Sequence, residues 1–174
     1  MAVHRVMQAA LGDAGAATAT ATATAVDSRI TLARPDDLRQ WLPLHHGLFP
    51  GSYLSDDEIA AAVGTAIDGG PRLVLTAWLD DRPAGYLVAM DETTAHELYV
   101  DYLGVAPAAR GRGLGRALLC HAMRWAEARG RRRAALTVRQ DRAEALSLYL
   151  QCGFQQTRAG VHWCKDRMAG APPS

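Results

Sequence analysis

Between Glu97 and Val138 the chain reads as a strand, a loop rich in glycine and arginine, a helix and a second strand, and this unit restricts the fold more than any other segment. The stretch ELYVDYLGV has the alternation and aromatic content of a strand, and RAALTV is a second apolar run. Between them, from Gly113 to Arg129, Leu114, Leu118, Ala122 and Trp125 recur at spacings of three and four, and Gly130 stands where a helix ends. A strand–helix–strand crossover within one sheet is right-handed and makes its two strands parallel.

The flanking segments predict antiparallel additions to that pair. RLVLTAWL and AGYLVAM, separated by DDRP, read as a hairpin. Upstream, RITLARP is a strand ended by Pro35, after which Asp36 or Asp37 caps a helix containing Leu38, Trp41 and Leu42. Ser55 followed by Glu58 forms a capping box for a second helix, and HHGLFPGSYL is the loop between the two. Downstream, RAEALSLYLQ is helical and FQQTRAGVHWCKDRM supplies one or two closing strands. The predicted order is β-α-α-β-β-β-α-β-α-β. Residues 12–25, GDAGAATATATATA, hold nothing large to bury, so residues 1–27 are expected to be a disordered leader. A single domain over 28–170 and a short tail at 171–174 complete the expectation.

Charge and cysteine content narrow the function classes. Lys plus Arg number 19 against 18 Asp plus Glu, too even a balance to draw the whole molecule onto nucleic acid or an anionic membrane. The run RGRRRAAL has no interleaved aromatic residues and enters a strand at once, so a nucleic-acid-binding module rests on that run only. No apolar stretch approaches the ~20 residues of a membrane span. Cys120, Cys152 and Cys164 are odd in number and lack C-x-x-C spacing, which favours reduced thiols and a cytoplasmic setting. The six histidines lack H-E-x-x-H spacing, so no metal is expected, and His45 and His46 read as residues of a helix end.

The segment RGRGLG lies between the end of the strand near Val105 and the start of the helix near Gly113, so the unpaired N–H groups of the helix N-terminus face the turn. Gly111, Gly113 and Gly115 admit a bulky anion, and Arg110, Arg112 and Arg116 add charge. A P-loop needs G-K-[ST], and the dinucleotide fingerprint needs a further glycine where Arg116 stands.

The pattern R-x-x-G-x-G resembles the pyrophosphate loop of the GNAT superfamily of acyl-CoA N-acyltransferases. LGVAP is similar to that family's L-x-V-x-P strand end, which implies that the backbones of Leu103 and Val105 pair with the pantetheine arm, and that the loop through Leu114 holds the pyrophosphate. AEALSLYLQCGF resembles the A-x-x-L-Y-x-x-x-G-F segment whose tyrosine lies beside the coenzyme sulfur, placing that role on Tyr149. The resemblance spans about residues 29–168 and is sharpest over 97–154. It implies an α/β fold: a mixed, mostly antiparallel twisted sheet with one central parallel pair joined by a helix, and helices on both faces. It also implies transfer of an acetyl group from acetyl-CoA, as co-substrate, directly to a primary amine of a small molecule, peptide or protein.

Under that resemblance Tyr149 is a proton donor to the leaving thiolate, although Leu146, Tyr149 and Leu150 at i, i+3 and i+4 also fit a core tyrosine. The base is less defined. Some relatives carry a glutamate twelve residues before the tyrosine, and here that position is Thr137, which does not titrate. Glu97, Tyr99 and Asp101 share one parity on their strand and are the candidates, Tyr99 lying in register with a catalytic tyrosine or glutamate of some relatives. Neutralising a lysine amine at pH 7 costs roughly 4.6 kcal/mol and an α-amine about 1 kcal/mol, so weak base equipment favours amines of low pKa. Arg142 replaces an asparagine that touches the pantetheine arm in many relatives, and FPGSYLS resembles an acceptor-site loop of N-terminal peptide acetyltransferases. Thr137 and Arg142 motivate the alternative of a catalytically silent acyl-CoA-binding or sensing domain. Monomer and homodimer both fit.

Overall fold

Seven strands form one sheet in the computed structural model, which describes residues 2–11, 28–52, 55–67 and 69–162. In chain order the elements are β1 (Ala2–Ala10), β2 (Ser28–Leu32), α1 (Leu38–Leu48), α2 (Asp56–Ile67), β3 (Arg72–Leu79), β4 (Arg82–Glu92), β5 (Glu97–Val105), α3 (Leu114–Ala128), β6 (Arg133–Arg139), α4 (Ala143–Gln151) and β7 (Gln155–His162). The sheet order is β2-β3-β4-β5-β6-β1-β7, and every neighbouring pair is antiparallel except β5 with β6. The expected mixed sheet with one parallel pair is therefore the fold. Local chemistry sets the hairpin: Asp80 and Asp81 at φ 50° and 56° carry the turn whose twist matches its strands. The Ser55–Glu58 capping box opens α2 as expected.

The expected leader over residues 1–27 is corrected. Ala2–Ala10 form β1, which lies between β6 and β7 and pairs with both. Met7 at 1% exposure and Ala9 at 5% join the core, where Met7 lies opposite Leu136. Among the described residues β7 has no sheet neighbour other than β1. Residues 12–27, the end of the expected closing strands beyond His162 and the tail at 171–174 lie outside the described residues.

Two cores flank the sheet. Leu114, Leu118, Leu119, Ala122 and Met123 of α3 pack with Leu98, Val100, Leu136 and Tyr149 on one face. On the other, Trp41 of α1 and Ile59 and Val63 of α2 pack with Val74, Tyr86, Val88 and Tyr102. His45 lies in the last turn of α1, as expected, and its side chain is buried in this second core. It is 0% exposed, its Nδ1 is hydrogen-bonded to the Tyr86 hydroxyl at 2.7 Å, and its ring stacks on Trp41. Burial holds its pKa below the ordinary value, the neighbouring His46 adds to the effect, and the imidazole stays neutral. Three of the four arginines in the run after α3 are engaged within the fold. Arg129 stacks on Trp125, Arg131 donates to both carboxylate oxygens of buried Asp91, and Arg133 pairs with Glu97.

Candidate active site

A bulge divides the central strands. Val88 is opposite Tyr102 and Ala89 is opposite Val100, so Asp101 is an extra residue on β5, and such a residue bends its strand. The parallel ladder with β6 runs only from Glu97 opposite Arg133 to Val100 opposite Leu136. From Asp101 onward, Leu103 and Val105 included, β5 keeps β4 on one edge and among the described residues has no strand on the other, while β6 continues alongside β1. The free edge can accept the amide groups of an extended ligand arm.

At the end of that opening stands the N-terminus of α3. Gly111 and Gly113 have φ of +74° and +77°, and a Cβ at either would meet no atom within 4 Å. Ala117 is the first helix residue whose amide bonds back, to the Gly113 carbonyl at 2.9 Å; the amides of Gly113 to Arg116 have no backbone acceptor among the described residues. Four N–H groups at the positive end of a fifteen-residue helix make an anion cradle. Arg110 and Arg112 are exposed beside it, Arg110 Nε reaching the Val105 carbonyl at 3.3 Å, and Arg116 has a buried Nε without a partner. Leu114 points into the core. At Gly115 packing also demands a glycine, because a Cβ there would lie 3.2 Å from Leu148 Cδ2 of α4.

Tyr149 is one residue from that helix contact. Its ring packs against Phe154, it is 7% exposed, and among the described residues its hydroxyl has no hydrogen-bond partner. Burial, with a smaller contribution from Cys152, pushes its pKa up to about 12. The phenol keeps its proton through the neutral range.

Glu97, Tyr99 and Asp101 lie on the sheet face opposite Leu98 and Val100, and the bulge leaves Tyr102 on that face too. Their surroundings differ. Glu97 accepts a hydrogen bond from Gln8 Nε2 of β1 at 3.1 Å and faces Arg133 Nε at 3.4 Å. The Tyr99 hydroxyl is hydrogen-bonded to Thr137 Oγ1 at 2.8 Å, across the point where β5 and β6 part. Asp101 faces Arg72 at 3.6 Å, yet burial outweighs that cation and raises its pKa, with Glu92 adding to the rise. Arg142 is exposed at the start of α4. The loop after α1 is anchored on β5, where Phe49 lies edge-on to Tyr102 and Ser52 Oγ meets the Tyr102 hydroxyl at 3.2 Å. Tyr53 and Leu54 of that loop lie outside the described residues. Gln8 and Tyr102 escaped the sequence reading. Only their contacts across strands reveal them.

Comparison with known proteins gives a consistent family. The family model described as Acetyltransferase (GNAT) family matches residues 26–154. A mycothiol acetyltransferase of Amycolatopsis mediterranei is 43% identical over 67 residues, 38% of this chain and 22% of the relative. An aminoglycoside N(6')-acetyltransferase type 1 of Stenotrophomonas maltophilia is 26% identical over 141 residues, 77% of this chain and 90% of the relative. The aminoglycoside acetyltransferase AAC(6')-Iy, solved with a bisubstrate analogue joining CoA to acetylneamine, superposes with a TM-score of 0.67 at 20% identity, covering 79% of this chain and 97% of that one. The chain spans 22–31% of the length of four mycothiol acetyltransferases that it matches.

Proposed function

The chain belongs to the GNAT acetyltransferase family, and from that premise we propose that it transfers an acetyl group from acetyl-CoA directly to a primary amine of low pKa. The observation that carries this reading is the set of four unfilled amides at the start of α3, at the end of the opening between β5 and β6. Acetyl-CoA supplies the activated thioester. The amides of Gly113 to Arg116, with Arg110 and Arg112, hold its pyrophosphate, and the free edge at Leu103 and Val105 pairs with the pantetheine amides. Tyr149, protonated at neutral pH, gives its proton to the departing thiolate.

Among the three base candidates the environment favours Asp101. Its carboxylate is made more basic by burial, whereas Glu97 is engaged by Gln8 and Arg133. Tyr99 and Thr137 together orient the acceptor from the floor of the opening. This divides the work between two groups shifted in the directions their tasks require: an acid that holds its proton and a carboxylate that takes one more readily.

A panel of aminoglycosides, amino sugars and peptides with free α-amines or lysines, incubated with acetyl-CoA and read by mass spectrometry, tests the reading. At pH 7 acetylation of α-amines and amino sugars should exceed that of lysine side chains, and the gap should narrow as the pH rises toward 10. Coenzyme binding without transfer to any amine would favour the silent acyl-CoA-binding domain instead. No helix among the described residues is long and apolar enough to cross a membrane, so the assay needs no lipid on that account.

Gly113→Val tests the cradle separately. The substitution meets no atom of the core, but it places a branched side chain at φ +77° and over the amides. Affinity for coenzyme A, measured by calorimetry, should fall at least tenfold while the melting temperature drops only a few degrees. A folded variant that binds as before would remove the pyrophosphate from this loop.

A further inference from the structure

A largely buried carboxylate without a hydrogen bond is costly to keep, and the chain keeps one where β5 and β6 part. The Asp101 side chain is 19% exposed, and among the described residues neither of its oxygens accepts a hydrogen bond. Its cationic neighbour is Arg72, which reaches from β3 to place Nη1 3.6 Å from Oδ2. That separation is longer than a hydrogen bond, so the guanidinium lends its charge and leaves the lone pairs of both oxygens open. Asp91 is the contrast within the same sheet: Arg131 donates to both of its oxygens, from Nε and Nη2. We propose that Arg72 is a positioning residue for acetyl transfer, whose ion pair keeps Asp101 ionised and in place at the opening to take a proton from the acceptor amine.

The inference rests on the reading of Asp101 as the base and names the group that makes that role workable. Burial, and to a smaller degree the Glu92 carboxylate of β4, favour the protonated acid, which is no base; Arg72 is the charge that opposes them. The other polar groups on this side of the sheet are engaged elsewhere. On β5 the Tyr99 hydroxyl is hydrogen-bonded to Thr137 of β6, and the Tyr102 hydroxyl meets Ser52. On α1, His45 stays neutral in the core and His46 Nε2 lies 2.9 Å from Asp56. From α2, Glu58 lines an open groove together with Ala61, Ala62, Thr65 and Arg72 itself. Glu58 competes for the guanidinium, but the amide and hydroxyl of Ser55 hold its carboxylate at 2.8 Å each. The capping box of α2 thereby leaves Arg72 to Asp101. In turnover Asp101 takes one proton from the acceptor ammonium, the neutral amine goes on to the thioester, and the carboxylic acid returns that proton to water.

Carboxyl-carbon NMR of the full chain labelled at aspartate reads the pair directly and needs no acetyl transfer, so its failure and the failure of the enzymatic reading are separable. The Asp101 signal is identified by its loss in Asp101→Asn. In Arg72→Gln its titration midpoint should move to higher pH, because the opposing cation is gone, and in Arg72→Lys it should return toward the parent. Kinetics follow on whichever panel amine the parent chain acetylates fastest. There kcat/KM of Arg72→Gln should fall at least about tenfold near pH 6 and less than about threefold near pH 9, with KM for acetyl-CoA unchanged and the loss restored by Arg72→Lys. A merely structural arginine would lower the rate equally at every pH. An Asp101 midpoint unmoved in Arg72→Gln overturns the proposal even in an active enzyme, and so does a loss that is independent of pH. A moved midpoint in a chain that acetylates no amine overturns the enzymatic reading instead and leaves the Arg72–Asp101 pair demonstrated.

Discussion

A chain lacking residues 2–10 should lose most of its stability, although those residues begin a segment whose composition suggests a dispensable leader. Deletion strips β6 of one neighbour and leaves β7 with no strand beside it among the described residues. It also opens the core at Met7, where truncation to alanine alone costs about 2–5 kcal/mol. Against a total of about 5–15 kcal/mol for a domain, the combined loss leaves little. For a domain of this size ~1 kcal/mol moves the midpoint by about 2–4 °C, so circular dichroism should show Tm lowered by more than ~10 °C or no cooperative transition. Met7→Ala should fall between parent and deletion. A synthetic peptide of residues 1–11, added in trans, should raise the Tm of the deleted chain, because it restores both ladders. A truncated chain melting within two or three degrees of the parent would mean that β1 is not part of the cooperative unit.

β1 shows where the sequence stops being legible, and why. Its inward residues are Met7 and Ala9 with polar Gln8 between them, too short an alternation to stand out beside the Ala/Thr tract. Its stability comes from partners at the far end of the chain, such as Leu136 opposite Met7 and Gln155 opposite Gln8. The α3 loop is the opposite case. Glycine, arginine and the apolar spacing that follows act within a few residues, so the helix start at Leu114 and the left-handed Gly113 follow from local chemistry. Gly115 was legible as a necessary glycine, but the packing that also requires it was not, because it lies in Leu148 on another helix. The burial of His45 also follows from a local pattern. Trp41, His45 and Phe49 recur every fourth residue on one helix stripe, and that spacing marks a buried row whose middle member needs a polar partner, here Tyr86. The joining of Tyr99 to Thr137 required the parallel register, with Tyr99 opposite Ala135, which no local pattern specifies.

Tyr149→Phe should lower kcat by roughly 10²–10⁴-fold and change little else, because here the structure separates chemistry from packing. The ring is held by the α3-side core and by Phe154, contacts that phenylalanine keeps. The hydroxyl has no partner among the described residues, so its removal forfeits not even the ~1 kcal/mol of an ordinary internal hydrogen bond, and Tm should stay within about two degrees. Coenzyme affinity should also hold, since the cradle amides lie on α3. The pH dependence adds a second check. An acid must be protonated to act, and a phenol pushed up to about 12 stays so throughout the assay range. Parent kcat should therefore rise with pH as the acceptor amine and its base lose their protons, with no falling limb below about pH 11. In Tyr149→Phe the rise should persist at the lower rate, because the groups that produce it are untouched. A variant with kcat within twofold of the parent would return Tyr149 to the core. The thiolate would then have to leave without this proton donor, protected only by the positive end of α3 and the arginines around it.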